Sequence, residues 1–153
     1  MLSIGHQAPD FTALNQNSES ISLSDLLEKG SLVLFFYPAD FTSICTKEAC
    51  MFRDMYQDLA KAGVQVVGIS PQDAKSHQAF ISENQLQYPL LVDQDKSIIK
   101  AYDAYGILGF VRRLTYWIDE NGVIKDVIGA DFRVDRHLNF VKKIIESQQA
   151  KSS

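Results

Sequence analysis

The sequence predicts an α/β sandwich, a mixed β-sheet flanked by helices, and three observations carry that reading. Two apolar runs, Leu32 to Tyr37 and Val64 to Ser70, are continuous rather than alternating, as strands buried on both faces are. Between them, Met51, Met55, Leu59 and Ala62 recur at helical spacing, with Phe52 and Tyr56 widening the stripe. Near the C-terminus, Glu120-Asn121-Gly122 is a hairpin turn, because Asn-Gly tolerates positive φ, and an amphipathic helix follows it. Strand, helix, strand, helix, antiparallel hairpin and last helix make one mixed-sheet domain.

Each element has its own local reason. Ala8-Pro9-Asp10-Phe11 to Leu14 is extended, Asn15 to Ser20 is rich in turn residues, and Ile21 to Leu23 returns, which predicts an N-terminal hairpin. Ser24 is suited to cap a short helix over Asp25 to Glu28, with Gly30 as its stop. Pro38 ends the first buried strand, and the long helix is expected from Cys45 to Ala62, where Gly63 stops it. Pro71 ends the second strand. A helix over Ala74 to Asn84 turns Phe80 and Ile81 inward, Tyr88 to Val92 is extended, and a brief helix covers Ile98 to Tyr102. Leu114 to Asp119 and Val123 to Ile128 form the late hairpin. Leu138, Val141, Ile144 and Ile145 share a face of the closing helix, Val134 to Gln149. The polar residues after Glu146, from 147 to 153, are expected to fray.

The 153 residues suit one domain with a single substantial core, spanning 1–153. A net charge of −4 with no dense Lys/Arg block argues against a nucleic-acid partner. The apolar runs are too short to span a membrane. The start, MLSIGHQAPDF, lacks a basic flank and apolar stretch, so no secretory signal is visible and the expected compartment is the cytoplasm. In a reducing compartment two cysteines point to catalysis, redox sensing, metal binding or plain burial rather than to a disulfide scaffold.

Both cysteines lie in the stretch that follows the first buried strand. Cys45 stands where a loop enters a helix, and free N–H groups and the positive end of the helix dipole favour a thiolate there. Its bland alternative is a buried, inert thiol. Pro38 is placed to shield the sulfur from bulk water, and Thr42, three residues before Cys45, can turn its hydroxyl toward it. Turn chemistry alone would also account for both. Cys50 is five residues on. In a helix that spacing separates the Cα atoms by roughly 8.7 Å, whereas a disulfide needs about 4.4–6.8 Å. A Cys45–Cys50 bond therefore requires the helix start to unwind. The alternative for Cys50 is an apolar filler. His6, His77 and His137 are spread through the chain without zinc spacing to the cysteines and read as surface or capping residues. No glycine-rich phosphate loop precedes a helix, and no cofactor is implied.

Pro38-Ala39-Asp40-Phe41-Thr42-Ser43-Ile44-Cys45 resembles the Pro-x-x-x-Thr-x-x-Cys signature of the peroxiredoxins. With Cys50 following, the stretch looks like the Q-type (bacterioferritin comigratory protein) subgroup. The element order is also that of the thioredoxin-like fold, here with an N-terminal hairpin extension and an insertion around 85–113. The resemblance implies a thiol peroxidase acting on hydrogen peroxide and organic hydroperoxides. It makes Cys45 the peroxidatic residue, oxidised to a sulfenic acid, and Cys50 the resolving one, forming a disulfide that a thioredoxin-like dithiol reduces. It implies an arginine beside the sulfur. Arg113 is the best match, since Arg113-Leu114-Thr115-Tyr116-Trp117-Ile118-Asp119 is similar to the family segment in which an arginine opens a strand. Arg112 would face the other way, and Arg133 is a weaker competitor. Glu48, three residues after Cys45, matches a glutamate that orients the arginine; a solvated helix residue is its alternative. The chain departs from the subgroup at Ser43-Ile44, where Pro-Gly is common, and that bears on how easily the helix opens.

Two other classes compete: a dithiol–disulfide oxidoreductase or redox sensor using the same pair, and a non-enzymatic interaction protein with inert thiols. The four residues between the cysteines speak against the first, which favours Cys-x-x-Cys. Peroxide consumption with a dithiol reductant separates the peroxidase from both. The expected assembly is a monomer or weak homodimer.

Overall fold

The computed structural model describes residues 1–152, and the expectation of fraying at Ser153 lies outside them. In order the chain forms β1 (Thr12–Leu14), β2 (Ser20–Ser22), α1 (Leu23–Leu27), β3 (Ser31–Phe36), α2 (Ser43–Lys61), β4 (Val64–Ser70), α3 (Ala74–Asn84), β5 (Leu90–Val92), α4 (Ser97–Ala101), β6 (Leu114–Ile118), β7 (Ile124–Gly129) and α5 (Val134–Ser152). One 3-10 turn, Ile107–Gly109, sits before β6. The seven strands form one sheet in the order β2-β1-β5-β4-β3-β6-β7. β3 pairs parallel with β4 and antiparallel with β6, so the sheet is mixed.

Every residue of β3 is buried. Leu32, Leu34 and Phe36 face one core with Leu23 and Leu26 of α1 and Ile98 and Ile99 of α4. Val33 and Phe35 face the other, with Phe52 and Leu59 of α2, Phe80 of α3 and Val141 and Ile144 of α5. The unbroken apolar run in the sequence is the cost of having helices on both faces.

Most elements lie where the sequence places them, and the differences have local causes. α1 starts two residues early: Ser22, not Ser24, is its cap, its hydroxyl accepting from the Asp25 N–H at 3.1 Å. That start turns Leu23 and Leu26 into the core. α2 begins at Ser43 rather than Cys45, after Thr42 in an extended conformation. The first helical bond runs from Thr46 N to Thr42 O, 2.8 Å. Gly122 has the positive φ expected of the hairpin turn, +80°. α5 continues through Ser152, past the expected frayed start at residue 147.

Candidate active site

The segment between β3 and α2 is held from behind. Tyr37 follows β3, and its hydroxyl donates to Asp40 Oδ1 at 2.7 Å. The Ser76 hydroxyl donates to Asp40 Oδ2, also at 2.7 Å, and His77 Nδ1 lies at the same distance from that oxygen. The other ring nitrogen of His77 lies 3.0 Å from the Leu91 carbonyl. Asp40 thus ties the loop to the start of α3 through buried bonds. Next to it, Phe41 takes a positive φ of 66° and stacks edge-on against Phe80. The chain then turns into α2.

Because α2 starts at Ser43, Cys45 is its third residue, still within the turn whose N–H groups have no helical acceptor. Its sulfur is buried, 1% exposed. Arg113 comes from the opposite direction, immediately before β6. The register Phe36↔Leu114 places the start of β6 beside the end of β3. The guanidinium is used on all sides. Nη2 donates to Cys45 Sγ at 3.3 Å, Nη1 to Glu48 Oε1 at 2.7 Å, and Nε to the Asp131 carbonyl at 3.0 Å. The Arg113 backbone N–H also donates to Asp131 Oδ1, 2.9 Å.

Of the three arginines weighed from sequence, Arg113 is the one beside the sulfur. Arg112 turns outward, 3.6 Å from Asp131 Oδ2, and Arg133 is exposed and paired with Asp135. Glu48 is fully buried rather than solvated, because α2 docks that face onto Arg113. Burial pushes its carboxyl up to about 7, against the pull of the Arg113 guanidinium. The Thr42 hydroxyl is exposed and donates to the Ala39 carbonyl at 3.4 Å, a turn contact. Pro38 is half-buried at the end of β3.

Cys50 points elsewhere. Its thiol lies 3.6 Å from Asn84 Oδ1 and opens on a groove of about 510 Å³ between α2 and α5, floored by Met51, Met55, Val134 and Leu138. Both cysteines are free, and α2 is helical through residues 45–50. The Tyr88 hydroxyl pins this turn by donating to the Ala49 carbonyl at 2.7 Å.

Two histidines correct the sequence reading. His77 and His137 are buried, not surface or capping residues; His6 is exposed. Helical spacing holds the missed signal. His77 precedes Phe80 and Ile81 by three and four positions, and His137 lies between Val134 and Val141 on the apolar face of α5. His137 Nδ1 is 2.7 Å from the Thr115 hydroxyl and 3.7 Å from Glu48 Oε2. Asp131, which fixes Arg113, carried no sequence signal. Among the described residues no cluster of His, Cys, Asp or Glu is placed to hold a metal, and no helix is long and apolar enough to cross a membrane.

A buried sulfur at a helix N-terminus, hydrogen-bonded by a guanidinium that the Glu48 carboxyl orients, suits attack by sulfur on an oxygen that leaves with negative charge. Comparison with known proteins agrees. The model of the AhpC/TSA family matches residues 4–127. The chain is 41% identical over 145 residues to chloroplastic peroxiredoxin Q of Arabidopsis thaliana, covering 94% of this chain and 67% of the relative. It is 39% identical over 150 residues to chloroplastic peroxiredoxin Q of Suaeda salsa, covering 95% and 69%. The crystal structure of the peroxidoxin BcpB from Mycobacterium tuberculosis superposes with a TM-score of 0.90 at 34% identity, over 96% of this chain and 98% of that one. A Xanthomonas campestris bacterioferritin comigratory protein, studied for alkyl peroxide reduction, shares the fold, with a TM-score of 0.78 at 23% identity over 88% and 92%. The chain belongs to the AhpC/TSA family, as a Q-type peroxiredoxin of thioredoxin-like fold, and is a thiol-dependent peroxidase.

Proposed function

We propose that Cys45 is the peroxidatic residue and Cys50 the resolving one, acting on hydrogen peroxide and organic hydroperoxides. The observation that carries this is the 3.3 Å contact between Arg113 Nη2 and Cys45 Sγ at the N-terminus of α2. The Cys45 thiolate attacks one peroxide oxygen. The sulfur–oxygen bond forms, the oxygen–oxygen bond breaks, and hydroxide or alkoxide leaves and takes a proton from solvent. Cys45 is then a sulfenic acid. The Arg113 fork and the free N–H groups of the first helical turn stabilise charge on both sides of that transfer. Thr42, the exposed residue just before α2, meets the incoming peroxide once its hydroxyl leaves Ala39.

In the second step Cys50 attacks the sulfenic sulfur, expelling water and leaving a Cys45–Cys50 disulfide. Helix spacing forbids that bond in the reduced form, so the first turns of α2 open. A thioredoxin-like dithiol then reduces the disulfide by exchange. The protein works in the cytoplasm as a monomer or weak homodimer.

The test is peroxide consumption with excess dithiol. Cys45→Ser is expected to lose essentially all turnover, and wild-type turnover in that variant would refute the assignment. Cys50→Ser is expected to keep the first oxidation of Cys45 and lose dithiol-driven cycling through an intramolecular disulfide, read by mass.

A further inference from the structure

α3 anchors Asp40 at its start and meets Cys50 at its end. The half-buried Cys50 thiol donates to Oδ1 of Asn84, the last residue of α3, at 3.6 Å. The amide is held in that orientation. Asn84 Nδ2 donates to the Phe80 carbonyl at 3.0 Å, and a carbonyl only accepts, so the side-chain oxygen is the atom left to face the sulfur. The main chain of Asn84 is fixed as well. Its carbonyl accepts from Arg53 Nη1 at 3.0 Å, and Gln87 Nε2 donates back to the Arg53 carbonyl at 3.3 Å.

These contacts divide α2. A Cys45–Cys50 bond needs the helix to open only as far as Cys50, and Arg53 lies beyond that point. Asn84 is therefore tied by its backbone to the part of α2 that has no need to move, and by its side chain to the thiol that must react. The side-chain contact belongs to the thiol alone, because an amide oxygen accepts a hydrogen and offers nothing to a thiolate. The attacking species is the thiolate, and a disulfide sulfur carries no hydrogen. The bond to Asn84 is thus broken before Cys50 attacks, whichever of the two cysteines travels.

We propose that Asn84 is a positioning residue for the resolving step: its side-chain oxygen latches the Cys50 thiol to α3, slows disulfide formation and lengthens the life of the sulfenic acid at Cys45. The inference rests on Cys50 as the resolving residue. In that step Cys50 gives its proton to solvent and the thiolate attacks the sulfenic sulfur. The sulfur–sulfur bond forms, the sulfur–oxygen bond breaks, and the departing hydroxide takes up a proton as water. The contact with Asn84 stabilises the state before the attack and is absent from the transition state, so deleting it lowers the barrier. A thiol is a weak donor, which puts the gain at about two- to threefold, the low end for a hydrogen bond. A shorter-lived sulfenic acid is also less exposed to further oxidation.

The experiment has two readouts on the full chain. One is the infrared S–H stretching band of the reduced protein, assigned to Cys50 by its loss in Cys50→Ser. The other is the first-order rate of Cys45–Cys50 disulfide formation after a pulse of hydrogen peroxide, read by acid quench and mass. Asn84→Leu keeps a side chain of similar size and removes the acceptor. The band is expected to move to higher wavenumber, as a freed S–H does, and the rate to rise about two- to threefold. Asn84→Asp keeps an acceptor oxygen but loses the Nδ2 donor to Phe80, so it separates the latch from a general loosening of α3. Its band is expected at or below the wild-type wavenumber and its rate at or below the wild-type rate. The proposal is overturned if Asn84→Leu leaves either readout unmoved or slows resolution, or if Asn84→Asp also speeds it. A failure of the resolving assignment is distinct: no Cys45–Cys50 disulfide then forms in wild type, and the latch falls with it.

Discussion

Arg113 Nη2 stands 3.3 Å from Cys45 Sγ, although 68 residues of chain separate them. Strand register makes the contact. Leu114 pairs with Phe36, so the residue before β6 emerges beside the end of β3, where the loop toward Cys45 begins. The guanidinium then spans Glu48, Cys45 and Asp131 with three donors in one plane.

A lysine cannot reproduce that fork. Arg113→Lys is expected to slow the peroxide step by about 10²–10³-fold, the usual cost of losing one charge-stabilising donor. Stopped-flow oxidation of the reduced enzyme measures it. Arg112→Lys should change the rate by less than about twofold, since that side chain is half-exposed and faces away from the sulfur. The reverse ranking would mean that the contact at Cys45 is not the productive one.

Asp40 accepts from the Tyr37 and Ser76 hydroxyls and faces His77 Nδ1. Removing its carboxylate strands these buried groups, so Asp40→Ala should cost about 3 kcal/mol, a fall in Tm of roughly 10 °C. The loosened loop presents α2 less well, and the peroxide step should slow more than disulfide formation does. Calorimetry and stopped-flow give the two numbers. A stable variant with an unaltered peroxide step would remove Asp40 from any part in positioning the site.

Opening α2 breaks the bond from the Tyr88 hydroxyl to the Ala49 carbonyl. Tyr88→Phe deletes that restraint, worth about 1 kcal/mol, and should speed disulfide formation by about fivefold. It should also lower the fraction of Cys45 over-oxidised to sulfinic acid at high peroxide, because resolution competes with further oxidation. Mass spectrometry reads both products. Amide hydrogen exchange over residues 44 to 54 adds a check, with protection expected in the reduced form and lost in the disulfide form.

Glu48 also makes stability pH-dependent. Its folded-state carboxyl is raised to about 7 from 4.5, so the folded chain binds this proton more tightly than the unfolded chain does. Stability is then highest below the unfolded value and falls as pH rises through the window from about 4.5 to about 7. The loss is on the order of 3 kcal/mol, as a difference from Glu48→Gln, which has no proton to lose. Urea unfolding of both forms at acidic and at mildly alkaline pH tests the sign. A wild type that gained stability relative to Glu48→Gln on raising the pH would contradict the buried, neutral carboxyl.

What the sequence determined by itself was local. The continuous apolar runs placed β3 within a residue and β4 outright, α3 was legible at Ala74–Asn84, and Asn121-Gly122 marked the late hairpin. The spacing of Cys45 and Cys50 already meant that a bond between them needs the helix start to open. These readings rest on period, turn chemistry and helix geometry, which a chain carries in short windows. Only the tertiary structure decided which arginine meets the sulfur, that Asp131 fixes it, that Asp40 is anchored to α3, and that His77 and His137 are buried. Each of those contacts joins segments far apart in the chain, and each is set by strand register or helix docking. A one-residue change of register would have turned Arg112 rather than Arg113 toward Cys45, because successive side chains of an extended chain face opposite ways.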